Sequence, residues 1–235
     1  MKVAVINFSG NVGKTTVAAH LLKPRLDDAP IFSIESINAD ASADGVDVEQ
    51  MRGKKFGDLR DQLLELDSAI VDIGASNVED FLKLMQQYQG SHEEFDLFII
   101  PVVKEKKQQA DTINTIRALA TIGIPPAKIR VVFNKVDIDE SPEDEFAAIF
   151  GLAAVDSSFI ANPSAVIHSN EVYEGIKDVG KSIADIANDP TDYRAQLKQK
   201  TDPAERQFCI RMIGLKMLAL TANKNLDRAF QALTA

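Results

Sequence analysis

The sequence has very little of what disulfide-linked, membrane-spanning or metal-centred proteins require. Cys209 is the only cysteine, so no disulfide can form within the chain, and this composition suits the reducing cytoplasm. No apolar run reaches the roughly 18 residues of a membrane span. The three histidines are widely separated, and their spacing matches neither a metal site nor a catalytic triad. These absences leave a cytoplasmic globular protein as the expectation.

Charge is distributed unevenly along the chain, whose net charge is −9. From Arg194 onward there are eight Lys/Arg and three Asp/Glu, a net charge of +5, so the first 193 residues carry −14. Uneven charge can mark an interaction surface. We therefore expect residues 189–235 to form a basic, helical C-terminal extension that either binds DNA or is simply solvated on one face. Because the preceding residues are acidic, a DNA-binding partner protein is an equally good route to DNA.

Short apolar runs alternate with helix-like segments over residues 1–188. This alternation predicts an α/β fold, a single domain with a mostly parallel central sheet flanked by helices. In such sheets ligands bind beyond the carboxyl ends of the strands. Four segments follow apolar runs and are therefore the candidates for binding a ligand: Phe8–Thr16, Glu35–Asp44, Asp72–Ser76 and Asn134–Asp137.

The segment Ser9–Thr16 (Ser-Gly-Asn-Val-Gly-Lys-Thr-Thr) lies between an apolar run and a helix-like stretch, which predicts a phosphate-binding loop. The residues expected to contact nucleotide phosphates are Gly10, Asn11, Val12, Gly13, Lys14, Thr15 and Thr16. Lys14 would place its ammonium on the outer phosphates, and the Thr15 hydroxyl would ligate Mg²⁺. The loop departs from the standard Gly-x-x-x-x-Gly-Lys-Thr pattern because Phe8 takes the place of the first glycine.

Acidic residues follow two of the predicted strands. Asp72 closes the run Ala69-Ile70-Val71, and we expect it to hold Mg²⁺ through water beside Thr15. Glu35, Asp40 and Asp44 follow the second strand, and Asp40 is the first choice for orienting the attacking water or holding Mg²⁺. A solvated acidic loop is the alternative interpretation of that segment.

The string Asn134-Lys135-Val136-Asp137 follows another apolar run. The Asn134 amide can bond a purine, and the string is similar to the guanine-reading motif of GTPases. An Asp137 that points into the site would favour GTP, whereas an outward Asp137 would leave ATP possible. A short strand is predicted at Ser158–Ile160, and Pro163 after it either lines the base or is a plain loop proline.

The segment Ser9–Thr16 resembles, without a gap, the deviant phosphate loop Lys-Gly-Gly-x-Gly-Lys-Thr-Thr of the ParA/MinD group of ATPases. The resemblance extends over roughly residues 1–187, and more narrowly it is to the plasmid-stability subgroup StbB, related to proteins of conjugation regions. It implies an ATP- and Mg²⁺-dependent homodimer that binds DNA or a partner and then hydrolyses ATP to reset. Lys14, Thr15 and Asp72 carry over as catalytic or metal residues, and Asn134 as the base contact.

Two positions depart from that family pattern. The signature lysine, which in the family reaches the nucleotide of the other subunit, is Ser9 here, and the second-strand Asp-x-Asp pair is Glu35-Ser36-Ile37. Loss of a cation that stabilises transition-state charge predicts hydrolysis that is slow or depends on a partner. A GTP-dependent switch or assembly factor, and a nucleotide-binding scaffold with little turnover, are the alternative functions.

Overall fold

The computed structural model describes residues 1–34, 48–51 and 56–235. Within these residues seven strands form one sheet in the order β3-β2-β4-β1-β5-β6-β7, and every pairing is parallel. The strands are β1 (Lys2–Val5), β2 (Ile31–Ile34), β3 (Val48–Met51), β4 (Ala69–Ile73), β5 (Leu97–Val102), β6 (Ile129–Val136) and β7 (Ile160–His168). The predicted α/β fold with a parallel sheet is confirmed.

Helices connect the strands, and four further helices follow the last strand. They are α1 (Lys14–Thr16), α2 (Phe56–Glu65), α3 (Val78–Gln87), α4 (Lys106–Thr121), α5 (Pro142–Glu145), α6 (Ala147–Val155), α7 (Val172–Gly175), α8 (Ile183–Asn188), α9 (Tyr193–Gln199) and α10 (Pro203–Thr234). After α1 the helix widens into a π-helical segment, Val17–Leu22, where the sequence predicts a regular helix. Such widened turns are rare and occur often at functional sites.

Apolar side chains cover both faces of the strands β1, β2, β4 and β5, which is why these strands are nearly continuous apolar runs rather than alternating ones. Along β1, Val3 and Val5 pack with α10 and the π-helical segment on one face. Ala4, and Ile6 just after the strand, pack on the other face with helices that include α2, α3 and α4. Successive side chains of β1 therefore pack alternately into two apolar cores.

Strand β7 spans Ile160–His168, so it shares only Ile160 with the predicted strand Ser158–Ile160 and continues well beyond it. Between Ala161, which pairs with Val131, and Val166, which pairs with Phe133, the register shifts and the strand bulges. Pro163 lies in this bulge at the edge of the sheet, where its missing N–H costs no ladder hydrogen bond. The proline therefore interrupts the pairing without ending the strand, which the sequence pattern did not reveal.

The C-terminal helices pack against the sheet. Asp202 caps α10 by accepting a hydrogen bond from the Glu205 N–H, and Pro203 occupies the first turn, where no N–H is needed. Residues such as Met212 and Leu226 belong to the same apolar cluster as β1. The predicted boundary at residues 188/189 falls between α8 and α9, but the helices beyond it share this core. None of the helices in the described residues has the length and apolar character needed to cross a bilayer.

Candidate functional site

The phosphate loop leaves β1 and returns as α1, and two of its residues have left-handed backbone. Gly13 has φ +91° and Asn11 has φ +60°. A Cβ on Gly13 would lie 2.1 Å from Nδ2 of Asn134, so glycine is required there both by the backbone and by the neighbour. At Gly10 an added Cβ would meet no atom within 4 Å. The loop is therefore closed tightly at its α1 end and open at Gly10.

Lys14 lies beneath the loop and is only 8% exposed. Its Nζ donates hydrogen bonds to the carbonyls of Asn7 (3.2 Å) and Ser9 (2.8 Å). The buried Asn7 side chain holds the start of the loop, because it accepts from the Ser9 N–H and donates to the Pro101 carbonyl. Sequence reasoning missed Asn7, although a polar residue directly after a buried strand is a usable signal. Backbone carbonyls thus bind the Lys14 ammonium next to the place predicted for the phosphates.

The two residues predicted to hold Mg²⁺ lie together. The Thr15 hydroxyl donates a 2.7 Å hydrogen bond to Oδ2 of Asp72, which is 2% exposed at the end of β4. Pairing of Val5 with Asp72 brings the two strand ends side by side. Hydroxyl and carboxylate oxygens are ligands that Mg²⁺ prefers, so this pair fits the ion.

Next to α1 a cleft of about 590 Å³ opens between the carboxyl ends of β6 and β7. It is lined by residues from the phosphate loop, α1, both strand ends and α7, namely Asn11, Gly13, Thr16, His20, Asn134, Lys135, His168, Ser169, Asn170, Tyr173, Glu174 and Lys177. A cleft at the carboxyl ends of parallel strands, continuous with a phosphate loop, has the position expected of a nucleoside site.

Asn134 and Lys135 tie the end of β6 to the phosphate loop. Asn134 is buried, its Nδ2 donates to the Val12 carbonyl (2.9 Å), and its Oδ1 accepts from the Lys135 N–H. Lys135 has φ +58°, and its Nζ donates to the Asn11 carbonyl (3.3 Å). Asn134 lines the cleft as predicted for a base contact, but here its amide also fixes the loop.

Asp137 is not among the residues that line the cleft. Its side chain is 54% exposed and lies 3.5 Å from Nζ of Lys104, which also contacts Glu140 at 2.6 Å. A hydrogen bond with Ser169, followed by the charge of Lys104, holds the pKa of Asp137 below its usual value. The carboxylate is therefore ionised and bound at the surface, the orientation that leaves ATP possible.

Two aromatic side chains in the cleft wall were not predicted. His20, on the π-helical segment, and Tyr173, on α7, have ring centroids 6.3 Å apart. In the described part of the chain, Nδ1 of His20 and the Tyr173 hydroxyl have no hydrogen-bond partner. Burial lowers the pKa of His20 to about 4, against an opposing effect of Asp185, so the ring is neutral at pH 7. An unpartnered buried polar group costs about 1–3 kcal/mol, which a contact with bound ligand or water would offset.

The remaining predicted residues lie elsewhere. Pro163 sits in the first half of β7, where the adjacent Asn162 bonds the Ala232 carbonyl, so the structure does not bring it to the cleft. His168, Ser169 and Asn170, from the far end of the strand, lie where Pro163 was expected. The acids that follow β2 (Glu35, Asp40 and Asp44) are outside the described residues.

Comparison with known proteins identifies this architecture. No protein-family model and no characterised protein match the sequence, but solved structures match the fold. A ParA family ATPase from Chlorobium tepidum aligns with a TM-score of 0.55 at 13% identity, covering 80% of this chain and 92% of that one. The chain has the fold of the ParA and MinD ATPases.

Two MinD structures show the same similarity. The MinD cell division protein of Aquifex aeolicus has a TM-score of 0.52 at 14% identity, covering 86% of this chain and 98% of that chain. The cell division ATPase MinD of Pyrococcus furiosus has a TM-score of 0.52 at 13% identity, covering 91% and 97%. At identities this low, the similarity shows a shared fold and no more.

Proposed function

We propose that the chain is a nucleotide-dependent switch of the ParA type that binds ATP with Mg²⁺ and hydrolyses it slowly or with a partner. The observation that carries this proposal is the 2.7 Å contact between Thr15 and Asp72 beside the buried Lys14 ammonium. These groups are the hydroxyl, carboxylate and cation that phosphoryl transfer uses. Bound Mg²⁺ would supply charge neutralisation at the outer phosphates.

In this proposal each residue has a separate task. Main-chain N–H groups from Gly10 to Thr16 bind the phosphate chain at the start of α1. Lys14 exchanges its carbonyl partners for phosphate oxygens, and Thr15 and Asp72 hold the ion. Asn134 keeps the loop closed and contacts the base. Asp40 remains the candidate for orienting the attacking water.

The first prediction concerns Lys14. We expect Lys14→Ala to reduce phosphate release from ATP to background, because the variant loses the cation nearest the outer phosphates. Release is measured on purified protein with Mg²⁺, and thermal unfolding verifies that the variant folds. Lys83→Ala, which removes an exposed lysine on α3, is the control and should keep wild-type activity. Unchanged phosphate release in a folded Lys14→Ala protein would contradict the catalytic assignment.

Ser9 supports the second candidate, a nucleotide-binding scaffold with little turnover. Ser9 is 5% exposed and contributes its carbonyl to Lys14, so no side-chain cation extends from this position. We propose a nucleotide-dependent homodimer in either case, with the missing cation explaining slow hydrolysis. Robust hydrolysis by the isolated protein would exclude the scaffold, and the same phosphate-release assay decides this.

We also propose a role in plasmid stability or partition, near the StbB subgroup, acting on DNA directly or through a DNA-binding partner. Two of the eight cations of the C-terminal extension are paired with acids: Lys200 with Glu205 and Arg211 with Asp178. The extension therefore offers DNA less free charge than its sequence suggests. This favours the protein partner as the route to DNA.

A further inference from the structure

Helix α10 carries two apolar faces, and within the described residues one packs on the sheet while the other is largely exposed. The face that packs on the sheet comprises Cys209, Met212, Leu215, Ala219, Ala222, Leu226, Ala229 and Leu233. On the outward side, Ile210, Met217 and Leu220 are 49%, 59% and 45% exposed, and Ile213 is partly buried between them. The spacing of three, four and three residues places these four on one side of the helix. We name Ile210, Ile213, Met217 and Leu220 the outward seam.

A groove runs beside the outward seam. It has a volume of about 310 Å³ and lies between α10 and the start of α9, with walls from Tyr193, Ile213, Met217 and Leu220. Arg194 and Lys216 stand on its rim, together with Asp192. The Asp192 carboxylate already accepts hydrogen bonds from the N–H groups of α9. The groove therefore offers an apolar socket for a bulky side chain, with cations at its edge.

Along α10 itself, the charge that flanks the outward seam is of one sign. From Arg206 to Leu226 the helix has four Lys/Arg and no Asp/Glu, within a chain whose net charge is −9. Arg206 lies one turn before Ile210, and Lys224 lies one turn after Leu220, on the same side of the helix. An apolar stripe with cations at both ends complements an apolar stripe bordered by acids.

A second copy of this chain fits the stripe poorly. In a two-fold antiparallel pairing, Ile210 would face Leu220 and Ile213 would face Met217, which matches the apolar residues well. The same register sets Arg206 opposite Lys224 at both ends of the contact, and like charges placed this way repel. Charge thus disfavours self-association at this face and favours an acidic occupant.

We propose that the outward seam and its groove bind an amphipathic helix of a partner protein whose apolar stripe is flanked by Asp and Glu. The surface is built from α9 and α10 and does not depend on the nucleotide site. Binding should use one bulky apolar anchor in the groove, and salt should weaken it because the flanking charges are exposed.

The test uses the full-length protein and labelled synthetic peptides of about 18 residues, or roughly five helical turns. One peptide has an apolar stripe flanked by Glu, and its twin has Lys at every Glu position. Binding is measured by fluorescence anisotropy. We expect the acidic peptide to bind, and the basic twin to bind at least about tenfold more weakly. Met217→Glu should weaken acidic-peptide binding by about tenfold or more, whereas Val155→Glu, at a site 85% exposed on α6, should not.

Several outcomes would overturn the proposal. Failure of the acidic peptide to bind, equal binding of both peptides, or a folded Met217→Glu protein that binds normally would each do so. A wild-type dimer in light scattering that Met217→Glu dissociates would assign the outward seam to a second copy. Cosedimentation with anionic vesicles that depends on Met217 would assign it to a membrane surface. Duplex DNA binding that is lost in Arg206→Glu/Lys224→Glu but kept in Met217→Glu would assign the cations to DNA.

Discussion

At the scale of single residues, the phosphate loop is held in shape by both amide and lysine side chains. Asn7 and Asn134 bond loop backbone from opposite sides, and Gly13 leaves room for the Asn134 amide. Lys14 donates to the Ser9 carbonyl, and Asp72 accepts from the Thr15 hydroxyl. Residue types at strand ends predicted Lys14, Thr15 and Asp72. The partners of Asn7 were not predictable, because Pro101 and Thr112 lie about a hundred residues away in sequence.

Gly13→Ala tests this arrangement. The substitution forces a left-handed alanine and drives its Cβ to 2.1 Å from Asn134, so the loop must open. We expect a loss of about 2 kcal/mol in the free energy of unfolding, roughly 4–8 °C in Tm, and a large loss of ATP affinity.

Gly151→Ala is the matched control, because its added Cβ meets nothing within 4 Å on helix α6. We expect its Tm to stay at the wild-type value or rise slightly, since alanine favours helix. Calorimetry measures the Tm of each of the two variants. Equal Tm values would mean that the tight loop closure at Gly13 carries no cost.

At the scale of elements, the carboxyl ends of β6 and β7 form the cleft that we propose as the base site. The apolar run of β6 and the Asn-Lys-x-Asp string were readable from sequence, but the position of the Asp137 carboxylate was not, since its partners Ser169 and Lys104 lie elsewhere in the sequence. The continuation of β7 was hidden because Pro163 reads as a strand break. A proline can lie within β7 because the strand is at the edge of the sheet and bulges at that point, and the edge position depends on the order of strands.

Thermal shift with ATP and with GTP tests this orientation. We expect ATP with Mg²⁺ to raise Tm more than GTP does, because Asp137 is bound at the surface and a ligand that binds only folded protein stabilises it. Asp137→Ala should leave both shifts unchanged, as should the neighbouring exposed control Asp139→Ala. A larger GTP shift that vanishes in Asp137→Ala alone would establish the GTP-dependent switch instead.

At the scale of the whole molecule, α10 belongs to the body of the domain. The sequence showed a long helix with apolar residues spread around it, and charge suggested an appendage. The structure assigns its inward residues to the same core as β1 and the π-helical segment. The sequence does not show which apolar residues of α10 face the core and which face outward, because that depends on how the helix lies against the sheet.

Two leucines on α10 test this integration. Leu226 is 0% exposed and Leu220 is 45% exposed. We expect Leu226→Ala to lower the free energy of unfolding by about 2–5 kcal/mol through a buried cavity, and Leu220→Ala to change it by less than about 1 kcal/mol. Urea unfolding measures both values. Small and equal effects would show α10 to be a detachable extension.

The bulge in β7 has a consequence for how copies of the chain can meet. An outer strand with a regular row of free N–H and C=O groups invites a neighbouring chain to extend the sheet. Here Pro163 removes a donor and the shifted register breaks the row in the middle of the strand. The outer edge of β7 is therefore a poor template for strand addition by a second chain.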